Sequence, residues 1–401
     1  MFWQDKRVLI TGINGFLGRN LAESLSRQGA QISGFVRNTP RGDKNHSDTS
    51  IHFIVGNIDD EESVCSGVSA CEPDVIFHLA AQSSVASSFH EPAQTCLTNC
   101  LGTSNILEAV RKINTEPVVV FAGSSDEYGL VFSTDEQYTN HIQKFGEPDN
   151  PPTQIPEIPI SENNPLRPSS PYAVSKVYGD LLMKNYHQTY GIKTVVCRSF
   201  NVEGAGRGNQ FVTSVIAKQV VDLHKGHVKT IRIGNINPIR DFSHVSDVIE
   251  GYRILAERGR PGNTYNLGSM KGVSVASYLL TCLDTAGFPV QRIETLHNGK
   301  ILSEPLKEDT TPISGFSIKM SELDKKIVQG DFSFSPSDRG IVAYSNGAQI
   351  NIEFDVKKFR PADIPILIAD TRKISQIGYQ PRHSIRDIIA DQLTFYQNSC
   401  S

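Results

Sequence analysis

The chain has 401 residues, 38% hydrophobic and 20% charged, with a formal net charge of -4. That length buries a full core and fits two lobes better than one. The charge balance excludes a nucleic-acid binder driven by basic excess, and no apolar run approaches a membrane span.

The first expected strand, residues 7–10, runs into Thr11-Gly12-Ile13-Asn14-Gly15-Phe16-Leu17-Gly18, and a helix is expected over 18–28. A glycine trio that follows a strand and opens a helix is the setting a dinucleotide fingerprint requires. Gly12 allows the tight turn, Gly15 lets backbone approach a pyrophosphate, and Gly18 allows close helix packing. The amides of that helix end face the anion, and Asn14, Phe16 and Leu17 complete the cradle. The second strand, 31–36, ends in Val36, where an NAD site places an acid. Arg37 follows, with Arg41 close behind. A guanidinium suits a 2′-phosphate that a carboxylate would repel, so NADP is expected ahead of NAD.

Apolar strands at 51–55, 74–78, 118–121 and 194–197 alternate with helices at 99–112 and 172–190. Near-continuous apolar strands fit a parallel sheet covered on both faces. The fold class is therefore α/β, a Rossmann-type doubly wound sheet with a smaller second lobe. Seven cysteines without CxxC spacing, and a start at Met1 to Arg7 without signal-peptide layout, point to reduced thiols in the cytoplasm. Cys96 and Cys100 share a helix face, but nothing nearby completes a ligand set, so no metal is expected.

Tyr172 and Lys176 stand four apart, which on a helix puts phenol and ammonium on one face. A free phenol, with its pKa near 10, is a poor base, and an adjacent cation favours its ionised form. Such a pair also arises on any solvated helix; downstream of a dinucleotide cradle it is fitted to move a proton and a hydride together. Two long stretches fall outside the alternation. Residues 131–158 read as a lid or a surface excursion. Residues 297–351 read as added antiparallel strands, from the alternating Phe332-Ser333-Phe334-Ser335 and a hairpin around Asn346-Gly347.

Residues 73–85, 99–103, 124–129, 172–176, 198–201, 207–213, 234–247 and 359–365 carry a resemblance spanning nearly the whole chain. It resembles an extended short-chain dehydrogenase/reductase that modifies sugar nucleotides, closest to GDP-mannose 4,6-dehydratases and GDP-4-keto-6-deoxymannose reductases. The resemblance implies a Rossmann domain over 1–200 and 237–267, and a nucleotide-sugar lobe over 201–236 and 268–401 with its insertion at about 297–351. Leu79, Ala80 and Ala81 would lie along the cofactor, with Asn57 and Ile58 beside its adenine. Ser124 would bond the C4 oxygen of the sugar beside Tyr172, and Lys176 would also hold the nicotinamide ribose. Ser83, Asn201, Arg207, Phe211, Val212 and Arg240 would meet a nucleotide sugar, GDP-linked by the same comparison. Arg240 with Asp241 also reads as a structural pair, and Phe211 as plain core. A homodimer or homotetramer is implied; nucleic acid and membrane are not.

The implied reaction is a 4,6-dehydration: C4 oxidation with Tyr172 as proton acceptor, removal of the C5 proton with loss of water from C6, and hydride return to C6. The C5 proton needs a carboxylate. Without a gap, Asp126 takes the place of the dehydratase glutamate and Glu127 falls where those enzymes carry an apolar residue. With one gap, Asp126 and Glu127 both match a Thr-Asp-Glu pattern. A 4-keto reductase needs only Ser124, Tyr172, Lys176 and NADPH. It stays open beside the dehydratase, as do an epimerase and a non-catalytic NADP sensor.

Overall fold

The computed structural model describes residues 2–39, 51–113, 115–313, 315–359 and 364–399. Arg41 and residues 360–363 lie outside the described residues. The central sheet contains β1 (Arg7–Thr11), β2 (Gln31–Val36), β3 (Ile51–Val55), β4 (Val75–His78), β5 (Val118–Ser124), β6 (Lys193–Ser199) and the strand Thr264–Leu267. All pair in parallel, in the order (264–267)-β6-β5-β4-β1-β2-β3. The six strands expected from sequence are therefore present, with ends differing by up to three residues. β1 lies between β2 and β4, with Thr11 opposite both Phe35 and His78. The strand order reverses at that junction, so the connections leave in opposite directions and a crevice opens beyond the strand ends.

The first helix starts at Phe16, two residues before its expected start. The helix expected from Asn99 begins as a π-turn over Leu97–Leu101 and becomes α-helical from Gly102. Among the described residues, no helix is long and apolar enough to cross a membrane.

A second sheet has the order (301–303)-(292–295)-(340–345)-(348–354)-(230–233), antiparallel except for its last pair. It shares a core with the helices Val212–His224, Val275–Thr285 and Ile385–Ser399, built from side chains such as Ile216, Leu279, Ile341, Ile352 and Leu393. The hairpin expected around Asn346-Gly347 lies in this sheet. Its turn residues have φ of 45° and 84°, the positive pair that a two-residue primed turn demands. Phe332–Ser335 corrects the expectation, because it is not a strand. Phe334 is buried as the alternation implied, but its backbone is held by Asn237. The side-chain carbonyl of Asn237 accepts the Phe334 N–H at 2.7 Å, and its amide donates to the Phe334 carbonyl at 2.7 Å. One side chain thus satisfies both groups that a strand partner would have satisfied.

The two long stretches meet each other. Residues 131–158 carry the helix Asp135–Phe145 and are anchored by Glu157. Its two oxygens accept from Arg167 at 2.8 and 2.9 Å, and it also accepts the Phe132 N–H at 2.9 Å. From the other stretch, the hairpin Glu308–Ile313/Phe316–Ser321 brings Ile313, Ile318 and Met320 onto Val131, Ile158 and Ile160. Tyr128 belongs to the same apolar cluster, so both stretches pack behind the loop that follows Ser124.

Candidate active site

The crevice at the ends of β1 and β4 is shaped by backbone contact. Gly12 has φ of +71°, and a Cβ there would lie 2.8 Å from the Ala80 nitrogen. A Cβ on Gly18 would lie 2.4 Å from the Gly12 carbonyl oxygen. Both positions exclude side chains, by backbone geometry at Gly12 and by packing at both. Gly15 is the N-cap of the first helix without a side-chain cap, so the amides of the first turn face outward for an anion. The cradle fits a dinucleotide pyrophosphate. Asn14 and Gly15 are exposed on it, Phe16 and Leu17 half-buried, and Leu79, Ala80 and Ala81 form the facing wall.

A polar chain fixes that wall. The Thr11 hydroxyl lies 2.8 Å from His78 Nδ1, His78 Nε2 lies 3.1 Å from the Thr103 hydroxyl, and the Ala80 N–H donates to Thr11 Oγ1 at 3.1 Å. Burial, reinforced by the Lys176 charge, depresses the His78 pKa to about 3. The ring is therefore a neutral spacer. Asn99, in the π-turn, accepts the Gln82 N–H at 2.8 Å and donates to the Ser175 hydroxyl at 2.8 Å, tying the loop after β4 to the helix Pro171–Tyr190.

That helix is started by Ser170, whose hydroxyl accepts the Ala173 N–H, and by Pro171 in its first turn. It buries both Tyr172 and Lys176. The Lys176 ammonium lies 5.8 Å from the centre of the Tyr172 ring and donates to the Ala122 carbonyl at 2.7 Å. The Ser124 hydroxyl hydrogen-bonds the phenol. Burial raises the phenol pKa well above its ordinary value, the Asp126 carboxylate raises it further, and the Ser124 bond opposes both. Burial pushes the Lys176 ammonium down to about 8, against the pull of Glu127. Ser124 and Asp126 thus act on the Tyr172 phenol, with the Lys176 ammonium beside its ring.

Glu127 is turned inward instead. Its Oε1 accepts the Ser124 N–H at 2.8 Å, and its Oε2 lies 3.2 Å from Arg198 Nε. Arg198 also pairs with Asp180 at 2.7 Å, and Lys184 with Asp180 at 2.7 Å. Burial first, then the Asp180 charge, raises the Glu127 carboxyl to about 8.

Among the other expected residues, Arg207 comes closest to this group. Its guanidinium lies 3.5 Å from the Phe211 ring centre and 5.3 Å from that of Phe16, and its charge bears on the Tyr172 phenol. Its buried Nε makes no hydrogen bond among the described residues, with Glu203 at 3.9 Å. Val212 opens the next helix. Asn201 is half-buried, and its N–H donates to the Asp241 carbonyl at 3.0 Å. Asp241 is structural: its carboxylate accepts from Ser269 N and Oγ, both at 2.6 Å, and from the Met270 and Ala369 amides. Arg240 Nη1 donates to the Ile239 carbonyl at 2.9 Å. Arg37 is exposed immediately after β2, Asn57 exposed and Ile58 buried after β3, and Ser83 exposed after β4. The roles of His78, Asn99, Asp180 and Arg198 were not read from sequence. For Asn99 and Arg198, the one available signal is a strongly polar residue inside a largely apolar element; Asp180, on a helix of mixed polarity, offers none.

Residues 8–268 match the model of the NAD dependent epimerase/dehydratase family. A GDP-mannose 4,6-dehydratase of Yersinia enterocolitica is 28% identical over 97% of this chain and 93% of its own length. One of Vibrio cholerae is 26% identical over the same shares. Among solved structures, RMD from Pseudomonas aeruginosa complexed with NADPH superposes with a TM-score of 0.67 at 20% identity, covering 98% of this chain and 99% of that one. The UDP-glucose 4-epimerase of Thermus thermophilus, in complex with NAD, gives 0.68 at 22% identity over the same shares. The chain belongs to the NAD dependent epimerase/dehydratase family, whose members depend on a nicotinamide dinucleotide.

The Lys176 ammonium is present below a pH of about 8 and lost as pH rises through it. The kcat/KM profile should therefore fall on its alkaline side near that pH. Lys176→Arg, which stays charged, should remove that limb even where it slows turnover. A limb that persists unchanged in Lys176→Arg would assign it to another group.

Proposed function

We propose that the chain is an NADP-dependent 4,6-dehydratase of a nucleotide sugar, GDP-linked. The observation that carries this reading is the division of labour between adjacent carboxylates. Both carboxylates act on the Tyr172 phenol, Asp126 the more strongly, but Asp126 is only half-buried whereas Glu127 is fully buried and folded back onto Ser124 and Arg198. Relatives named GDP-mannose 4,6-dehydratase that align over 97% of the chain support it.

In this reading Ser124 hydrogen-bonds the C4 oxygen and Tyr172 accepts the C4 hydroxyl proton, with Lys176 and Arg207 as the cations that favour the phenolate. A bound nicotinamide supplies the hydride acceptor and donor. The C4 ketone acidifies C5, Asp126 takes the C5 proton and gives a proton to the C6 hydroxyl, which leaves as water, and C6 then gains the hydride as C5 regains a proton. The net change is loss of one water without consumption of cofactor. Asp126 is one methylene shorter than glutamate, so the sugar must sit correspondingly closer to it. Arg207 and Phe211 are assigned to the nucleotide, where a guanidinium stacked on a ring pairs with phosphate oxygens. Arg240, Asn201, Val212 and Ser83 line the approach. A 4-keto reductase would use Ser124, Tyr172 and Lys176 and leave Asp126 without a task.

Incubation with a panel of nucleotide sugars, read by mass spectrometry, should show loss of one water from a GDP-hexose with no added reductant. Asp126→Asn should lower that rate by about a hundredfold to ten-thousandfold, while C4 oxidation persists as a reduced-nicotinamide band. NADPH consumed stoichiometrically on a 4-keto sugar, with Asp126→Asn at full rate, would establish the reductase instead.

For the cofactor, Arg37 stands after Val36 at the end of β2, and residues 36–39 include no carboxylate. Arg37→Ala should weaken NADP by roughly tenfold or more, the usual scale of a lost charge-assisted bond, and leave NAD unchanged. Equal affinities of the wild type for NAD and NADP would refute the assignment.

For assembly, Val174, Tyr178 and Leu181 recur at helical spacing on the outer face of the helix Pro171–Tyr190, 41–55% exposed. Phe89, Leu97 and Leu101 are exposed on the segments packed beside it. A contiguous apolar face of this kind marks an interface, and a second copy of the chain is the proposed occupant. Light scattering should report a dimer or larger, and Leu181→Glu with Phe89→Glu should shift it towards monomer. A monomeric wild type would rule this out.

A further inference from the structure

Residues 122–124 at the end of β5 are gripped from two sides. Lys176 donates to the Ala122 carbonyl at 2.7 Å, and Glu127 Oε1 accepts the Ser124 N–H at 2.8 Å. Between those contacts, a Cβ on Gly123 would lie 2.6 Å from Glu127 Oε1 and 3.0 Å from the Cys197 carbonyl oxygen. The carboxylate occupies space that only a glycine leaves open. The Ser124 hydroxyl in turn accepts the Asp126 N–H at 3.2 Å, so Ser124 and Glu127 cap the short turn reciprocally. Glu127 is fully buried, so no substrate atom reaches it without rearrangement of this turn.

We propose, resting on the dehydratase reading above, that Glu127 is a positioning residue and not the second elimination base: it fixes the Ser124 amide and, as it ionises, supplies the charge that holds the proton on Lys176. The charged and titratable groups around the pair are few. Asp180 and Arg198 face Glu127 directly, with Lys184 beyond Asp180 and Tyr128 following in the chain. Cys197 feels its charge from β6, as does Tyr172 from the helix. Lys176 is faced by Tyr172, Cys100 and neutral His78. Arg198 and Lys184 balance Asp180 and an ionised Glu127, so protonation of Glu127 leaves a net positive cluster beside β5. Lys176, fully buried across that strand end, is a cation that such a cluster would destabilise.

The test uses cofactor-loaded enzyme. Glu127→Gln keeps the acceptor for the Ser124 amide and removes only the charge. Its best-pH turnover should stay within about tenfold of wild type. Its alkaline limb should move down by roughly one pH unit, the usual effect of one nearby charge. The Lys176 side-chain nitrogen, followed by NMR in lysine-labelled protein and assigned by its loss in Lys176→Arg, should titrate lower by the same amount. Glu127→Asp keeps the charge but draws it away from Ser124, so it should slow turnover with little change in the Lys176 titration. If Glu127→Gln does not fold, Glu127→Asp against wild type decides the matter: a Lys176 titration that falls while turnover holds overturns the assignment. So does an unshifted Lys176 titration in Glu127→Gln. Accumulation of reduced nicotinamide without water loss in Glu127→Gln would make Glu127 the elimination base and end the proposal. Should the wild type dehydrate no nucleotide sugar, the functional reading fails, and the Lys176 titration still decides this inference.

Discussion

The architecture of the site depends on one buried charge. Arg198 is almost wholly inaccessible, and an unpaired guanidinium there would be strongly destabilising. Its partners come from different parts of the chain: Glu127 after β5, Asp180 on the helix Pro171–Tyr190, and the hydroxyl of Tyr128 at 3.0 Å. Tyr128 in turn donates to Asn266, on the edge strand of the sheet, at 2.6 Å. Satisfying Arg198 therefore requires β5, β6, the helix carrying Tyr172 and Lys176, and the strand Thr264–Leu267 to be placed together. Ser124, Tyr172 and Lys176 are brought together as a consequence of that requirement.

A second constraint acts at the other side of the crevice, where contact is by backbone and neutral groups. Gly12 and Ala80 approach too closely for any side chain, and the Thr11–His78–Thr103 chain stays uncharged because His78 is too buried to take a proton. Fixed dipoles and outward amides suit a pyrophosphate, whose charge is met by the helix end without a buried counter-ion. The two walls thus differ in kind. The glycine-turn side is neutral and tightly packed, while the Tyr172 side carries the carboxylates, phenol and ammonium.

Features determined locally were legible in the sequence. The parallel strands show as apolar runs, the glycine turn shows by its place between strand and helix, and the Asn346-Gly347 hairpin shows by its φ requirement. Tyr172 and Lys176 share a face because helical spacing alone puts them there. What the sequence left open was decided by distant partners. Asp126 and Glu127 are adjacent carboxylates with no local feature to tell them apart, and the inward turn of Glu127 follows from Arg198 and the bare Cα of Gly123. Phe332–Ser335 has the period of a strand, yet Asn237, nearly a hundred residues away, takes its hydrogen bonds. The π-turn at Leu97–Leu101 likewise has no pattern of its own. In it, the side chain of Asn99 reaches both Gln82 and Ser175.

The two long stretches outside the Rossmann alternation are best understood through Tyr128. On one side its hydroxyl joins the Arg198 network; on the other its ring packs with Val131, Ile158, Ile160, Ile313, Ile318 and Met320. The added hairpin and the anchored loop therefore thicken the core directly behind Asp126 and Glu127. A loop backed only by solvent would let adjacent carboxylates exchange orientations, because exposed turns open at little cost. Packing Tyr128 between an apolar cluster and a buried guanidinium removes that freedom. The insertions act on this turn from behind, by holding Glu127 against Arg198 and the Ser124 amide.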